Sequence, residues 1–143
     1  MKPHARHKAR ALVLQAIFQW QFVTNNAEDI AAQYLAEVNP KKVDIGYFNR
    51  LLAGIITNVT MLDQIMEPLL DRKLAELDQV EYAILRLAIY ELVYCLDVPY
   101  KVVINEALEL AKKFGSVTGY KYINGVLDKV VHVSSVAKIR NIQ

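Results

Sequence analysis

Apolar residues recur at three- and four-residue steps along most of the chain, which is the period of one helical face. Pro3 suits a first helical turn, where its missing N–H costs nothing. After it Val13, Ala16, Ile17 and Trp20 form a stripe that ends at Thr24-Asn25-Asn26. A second helix is predicted from about Glu28 to Val38, with Ile30, Tyr34, Leu35 and Val38 inward. Asn39-Pro40 stops it, since a residue before proline avoids the helical region. Asp44 then caps the longest stripe: Phe48, Leu51, Leu52, Ile55, Val59, Leu62, Met66 and Leu69. Continuous to Leu70, this helix would be about 40 Å long and form the backbone of the domain, with Pro68 loosening its last turn.

Asp78 and Glu81 have the spacing of a capping box, ahead of Val80, Ile84, Leu87, Ala88 and Leu92. Pro99 opens a fifth helix bearing Val103, Ala107, Leu108 and Ala111, and Gly115 closes it. A last helix runs from about Tyr120 to Val133 with Ile123, Val126, Leu127 and Val130 facing the core. No alternating strand pattern of useful length and no fixed repeat interrupts this series. The expectation is an all-α fold of about six to seven helices. They form one compact domain, residues 1–143, in two small bundles whose halves are 1–71 and 78–143 and whose seam falls near 71–78.

Composition narrows the class. The 143 residues are 54% hydrophobic and 22% charged, the balance of a soluble globule rather than a disordered chain. Cys95 is the only cysteine, which excludes an internal disulfide and a cysteine-built zinc site. Charges interrupt the N-terminus where a signal peptide would be apolar, and no run approaches the ~20 apolar residues of a membrane span. A cytoplasmic protein is expected.

The net charge of +2 hides a division. Residues 1–27 carry Lys2, Arg6, Lys8 and Arg10 and no acid. Residues 62–82 carry Asp63, Glu67, Asp71, Glu76, Asp78 and Glu81 against Arg72 and Lys73. Residues 112–140 carry Lys112, Lys113, Lys121, Lys129, Lys138 and Arg140 against Asp128. Such asymmetry concerns partners rather than fold. Arg6 and Arg10, one turn apart, share a helix face. They are either a frayed, solvated end or a grip on a polyanion.

Catalysis finds no cluster. His4 and His7 have i, i+3 spacing but no carboxylate or thiol near in sequence to complete a metal site. Glu106 and Glu109 share a face, yet Lys112 and Lys113 follow them and make a salt-bridged surface the simpler reading. Cys95 reads as a small packed hydrophobe. No phosphate-binding glycine loop or nucleophile elbow is present. No catalytic residue, metal ligand or cofactor is assigned.

The segment GYKYINGVLDK places Tyr120, Lys121, Asn124 and Asp128 on one flank of the last helix, with Tyr122 between that flank and the core. Aromatic rings, amides and lysines together suit single-stranded RNA. Half-buried tyrosines on a wet face are the more ordinary alternative. Gly125 costs a helix about 1 kcal/mol, so close approach of a backbone or ligand is expected there. Lys101 sits in the first turn of the fifth helix, where free N–H groups favour an anion. The acids from Asp71 to Glu81 are either a docking face for a basic protein or a solubilising surface.

DVPYKVVINEALELAKKFG followed by GYKYINGVLDK resembles the C-terminal signature of the NusB family of bacterial transcription antitermination factors. MKPHARHKARALVLQAIFQW is similar to that family's arginine-rich first helix, and VDIGYFNRLLAGI and LDQVEYAILRLAIYEL to its central helices. The resemblance spans nearly the whole chain. It implies an all-helical fold of two small bundles, no enzymatic activity and no cofactor. It also implies binding to boxA RNA of ribosomal RNA operons together with the ribosomal protein NusE, within the antitermination complex of RNA polymerase and the other Nus factors.

By the same resemblance Lys2, Arg6 and Arg10 match the basic RNA-binding face, joined by Lys101, Lys121, Tyr122 and Asn124. Phe18, Arg72, Glu76 and Glu81 match the region linked to NusE docking. His7 stands where the family usually has arginine, which makes one phosphate contact conditional on pH. Tyr122-Ile123 replaces the commoner Phe-Val. Two other readings remain open. One is the RNA-binding module of a ribosomal RNA cytosine methyltransferase, which the same fold resembles. The other is a homodimer that buries the basic helix.

Overall fold

The computed structural model describes residues 3–23 and 25–142, so Lys2 lies outside the described residues. The described chain is all-helical: α1 (Pro3–Phe22), α2 (Ala27–Leu35), α3 (Ile45–Thr57), α4 (Val59–Met66), α5 (Gln79–Tyr94), α6 (Tyr100–Phe114), α7 (Val117–Val133) and α8 (Val136–Ile139). Short 3-10 turns occupy Glu67–Leu69 and Leu74–Glu76. No helix is long and apolar enough to cross a membrane among the described residues.

The predicted long third helix is two. Asn58 ends α3 and begins α4: its side-chain Nδ2 donates to Gly54 O at 2.8 Å and its backbone N–H to the same carbonyl at 3.0 Å. Asparagine competes for backbone groups in this way, which explains why the apolar period runs on while the helix does not. Position 54 excludes a side chain, because a Cβ there would run into the ring of Tyr90 on α5. Pro68 falls in the 3-10 turn after α4 rather than inside a helix.

The other boundaries follow side-chain caps. Asn26 accepts from Asp29 N–H at 2.8 Å to start α2, and Asp44 accepts from Tyr47 N–H at 3.0 Å to start α3. Asp78 accepts from the N–H groups of Val80 and Glu81 at 2.9 and 3.1 Å. Ser116, accepting from Gly119 N–H at 2.9 Å, starts α7 one turn earlier than its apolar stripe indicates.

The centre of the fold is α5, not the α3–α4 stretch. It packs against α1, α3, α4, α6, α7 and α8, and every residue from Ala83 to Leu92 is buried. A helix apolar on all sides belongs inside. Arg86 and Glu91 are buried within that run and need internal partners. Arg86 finds Asp63 of α4, donating from Nε and Nη2 at 3.1 and 2.9 Å. Around α5 one continuous set of buried side chains reaches from Ala9 on α1 to Val136 on α8.

The short α8 has no signal in the apolar pattern, and its function in the fold is carried by the residue that follows it. Arg140 donates to the carbonyl oxygens of Leu92 at 2.8 Å, Glu91 at 2.8 Å and Cys95 at 3.0 Å, and also to Val98 O. Glu91 O and Cys95 O already accept from the N–H groups of Cys95 and Val98, so the guanidinium's main service is to Leu92 O and Val98 O at the open end of α5. Arg140→Ala should lower the unfolding free energy by about 1–3 kcal/mol, the cost of leaving buried acceptors unpaired. Urea denaturation checks this, and an unchanged midpoint refutes the capping role.

Candidate nucleic-acid interface

The cations of α1 are spent unequally. Arg10 is 3% exposed, and its Nε donates to both oxygens of Glu91 on α5 at 2.9 and 3.0 Å. Its Nη1 lies 3.6 Å from Glu106 of α6, and Tyr47 of α3 donates its hydroxyl to the same Glu91 carboxylate. Burial works against the charge on Arg10, but the hydrogen bond and charge of Glu91 outweigh it and hold the pKa above its ordinary value. Burial, followed by Glu91, pushes the Tyr47 hydroxyl well up, so it stays a donor. Arg10 therefore does not stand on a solvent face with Arg6. The shared helical phase is real, but that face points into the protein at Arg10 and toward the surface only at the N-terminal end.

Arg6 is the transitional residue. It is half-buried, donates from Nη1 to Asp97 at 3.1 Å, lies 3.7 Å from Asp44 through Nε, and rests on the Tyr47 ring at 4.2 Å. Hydrogen bonding by Arg6 holds the Asp97 carboxyl below the usual carboxylate range. His7 pairs with Glu106, Nδ1 to Oε2 at 2.6 Å. Arg6, Arg10, Asp97, Pro99 and Glu106 border one cleft of about 300 Å³ between α1 and the start of α6. Lys101 is exposed in the adjoining first turn. The N–H groups of Val102 and Val103 are already bonded to Pro99 O at 3.0 and 3.1 Å, which leaves that turn fewer donors for an anion than the sequence implies.

A second group lies on α7. Lys121 and Asn124 are exposed, and Tyr122 is half-buried. Lys121, Tyr122, Gly125 and Lys129 line a cleft of about 210 Å³ with Leu69 and Asp71. The Tyr122 hydroxyl is buried without a hydrogen-bond partner, and burial, then the neighbouring Asp71 carboxylate, raise its pKa. Arg72 is placed here and not on a separate face: its guanidinium covers the Tyr122 ring at 4.2 Å while its Nε donates to Asp71 at 2.8 Å. Gly125 differs from expectation, because nothing lies within 4 Å of where its Cβ would be. It opens the floor of the cleft rather than admitting a neighbouring backbone. Since α6 and α7 are joined by Gly115-Ser116 and pack along each other, the Lys101 and Lys121 groups stand roughly 20 Å apart, the length of α6.

The remaining residues separate. Phe18 borders an apolar groove of about 270 Å³ with Leu14, Tyr34, Val80 and Phe114. Phe22, 62% exposed, meets the Phe18 ring edge-on at 5.0 Å. Glu81 is half-buried in the first turn of α5, next in sequence to the groove residue Val80, with its carboxylate against Gly119 of α7. Burial first, then Asp78, raise its pKa. Glu76 is exposed and accepts from Lys73 N–H at 3.0 Å. Sequence reasoning passed over Glu91 and Arg140, the partners that organise α1 and the end of α5. A charge inside the run AILRLAIYELVY was the available signal for Glu91, since only a paired charge can sit there.

A helical protein with a lysine-lined cleft around a tyrosine, a second cleft of paired charges and an apolar groove has the surfaces of a binding module. No group of three or more His, Cys, Asp or Glu is placed to hold a metal ion among the described residues. The family model described as the NusB family matches residues 7–132, and the chain belongs to that family of non-enzymatic factors. It is 57% identical over 131 residues to the transcription antitermination protein NusB of Tolumonas auensis, covering 92% of this chain and 95% of that one. It is 53% identical over 133 residues to that of Escherichia coli, covering 93% and 96%. Among solved structures, NusB of T. maritima aligns with a TM-score of 0.80 at 31% identity over 95% of this chain and 96% of that one. The same fold recurs, with a TM-score of 0.81 and 23% identity over 90% and 97%, in antitermination factors NusB and NusE in complex with dsRNA.

Arg10→Ala should destabilise the protein by about 3–5 kcal/mol, since it strands Glu91 as a buried unpaired charge. Chemical denaturation measures this. A loss within 0.5 kcal/mol, as for ordinary surface changes, would refute the internal role.

Proposed function

We propose that this chain is an RNA-binding transcription antitermination factor. With NusE it binds boxA RNA of ribosomal RNA operons and joins the antitermination complex of RNA polymerase and the other Nus factors, in the cytoplasm. The observation that carries the RNA reading is the α7 cleft. Lysines 121 and 129 line it beside an aromatic ring already covered by a guanidinium, and Asn124 is exposed on the same helix. Arg72 on Tyr122 has the stacking geometry that a base would take, so a base either displaces Arg72 or stacks on its outer side. Lys101 and Arg6 extend the surface toward the first helix, and Lys2, outside the described residues, is assigned to it by the family resemblance alone. Arg10 acts there only by holding α1 in register. A phosphate at Arg6 competes with Asp97 and Asp44, which makes that contact weaker than at a free lysine.

The apolar groove at Phe18, with exposed Phe22, is the surface assigned to NusE, a ribosomal protein expected to be basic, and Glu81 and Glu76 are assigned to the same docking by the family resemblance. A related fold solved with NusE and dsRNA supports the pairing of these two partners on one protein. The names of the relatives at 53–57% identity favour antitermination over the methyltransferase module.

Fluorescence anisotropy with labelled boxA RNA and a scrambled control tests this directly. Tyr122→Ala should weaken boxA binding by about 1–3 kcal/mol through lost stacking, and Lys121→Ala should reduce the log–log salt slope by about 0.7. NusE should tighten RNA binding by about 1–3 kcal/mol of coupling. Equal affinity for both RNAs, untouched by NusE, overturns the reading.

A further inference from the structure

A further cavity, of about 310 Å³, lies between the end of α4 with its 3-10 turn and the C-terminal end of α7. Ile65, Pro68, Leu69 and Val133 line it, together with the exposed Gln64 and Ser135. Val133 is 69% exposed, the most of any large apolar side chain among the described residues. Leu69 also lines the cleft at Lys121 and Tyr122, and Gly125, Lys129 and Val133 follow at four-residue steps on one face of α7. The two cavities are thus stretches of one groove, which runs about 16 Å along the helix from Tyr122 to Val133. Gly125 lies in its path. Its φ is not positive and nothing stands within 4 Å of its Cβ position, so neither backbone nor packing calls for a glycine there. A glycine inside a helix weakens it, and what this one keeps is open space in the groove.

We propose that single-stranded RNA held at Tyr122 continues along α7 over Gly125, and that a further base enters the Val133 pocket, where Gln64 and Ser135 read its edge. The inference rests on the RNA reading above and extends it to a specificity pocket. The lining carries no charged side chain, which suits a neutral flat ring and not a phosphate. Apolar walls cover the faces of the ring, while an amide and a hydroxyl each offer a donor and an acceptor to its edge. Ser134 is already committed. Its hydroxyl donates to Val130 O and accepts from Val136 N–H at 3.1 Å, which fixes the wall at the end of α7. Phosphates on either side of the base meet a basic stretch, since residues 129–140 hold the exposed Lys129 and Lys138 and no acid. A one-sided charge of this kind favours a polyanion over a protein of mixed charge.

The experiment is anisotropy of the full chain with single-stranded boxA RNA, intact or carrying one abasic nucleotide at successive positions. At one position, distinct from the base that stacks on Tyr122, the abasic nucleotide should weaken wild type about tenfold, the scale of one lost base contact. Ser135→Leu fills the pocket, and the Ser135 side chain makes no cap bond at the start of α8, so the fold does not depend on it. This variant should bind intact RNA about tenfold more weakly and be indifferent to that abasic position, whereas Tyr122→Ala should remain sensitive to it. Gln64→Ala should reduce discrimination between bases at the same position. Gly125→Ala should raise the urea midpoint and yet weaken RNA binding, a combination that a purely structural glycine does not give. Wild-type RNA affinity in both Ser135→Leu and Gly125→Ala overturns the pocket, while a loss in Tyr122→Ala keeps the RNA reading in place. Loss of NusE by Ser135→Leu with RNA affinity intact makes the groove a protein-docking surface and overturns the proposal equally. Absence of RNA binding by wild type overturns the RNA reading, and this one with it.

Discussion

The carboxylate of Glu91 is the constraint around which the helices are arranged. It sits near the end of a ten-residue buried stretch of α5, 1% exposed, and a bare carboxylate there would cost several kcal/mol. Arg10 of α1 answers it with a bond to each oxygen, and Tyr47 of α3 adds a hydroxyl. Three helices are thereby keyed to one group. Rotation of α1 by one residue, about 100°, would carry Arg10 away from its partner. Hydrophobic stripes tolerate small slips, whereas a buried charge-assisted bond from one Nε–H shared between two carboxylate oxygens does not. The pair thus specifies register more than it adds stability, because a well-packed apolar substitute would stabilise as well.

Once that register is fixed, the division between arginine and lysine becomes intelligible. Arg10, Arg86 and Arg140 all face inward, to Glu91, to Asp63 and to the carbonyls that end α5. A planar guanidinium with several donors and weak hydration satisfies such sites, and an ammonium does not. Lys101, Lys121 and Lys129 remain exposed, as compact solvated charges suited to phosphate. The basic N-terminal helix therefore contributes less free charge than its sequence displays, and the C-terminal helices contribute more.

Most of the fold was legible in the sequence because its helices are amphipathic and capped. Asp44, Asp78 and Gly115 mark boundaries that the structure keeps within a residue or two. The errors share a cause. Asn58 splits a stripe without changing its period, Ser116 starts α7 before the stripe that runs from Ile123, and α8 is too short to show a period at all. At the interface, helical phase placed Arg6 and Arg10 on one face but carries no information on whether that face is covered. Burial of Arg10 is a tertiary fact, decided by Glu91 some eighty positions away. Arg72 was read with the neighbouring acids because local charge is visible in a sequence, whereas its stacking on Tyr122 depends on how the segment after α4 folds back over α7.

The pairing of so many surface cations has an energetic consequence for any polyanion. A phosphate that approaches Arg6 must compete with Asp97, and a base that approaches Tyr122 meets Arg72, itself tied to Asp71. Each contact is an exchange of one partner for another, so its net contribution is smaller than that of a free charge meeting a phosphate. The same pairing has a benefit. Arg6 and Arg72 are already desolvated on one side and held in place, so ordering them on binding costs less side-chain entropy. A surface built this way gives modest affinity with defined geometry. A second protein that adds cations along the same RNA then raises affinity without having to create the geometry.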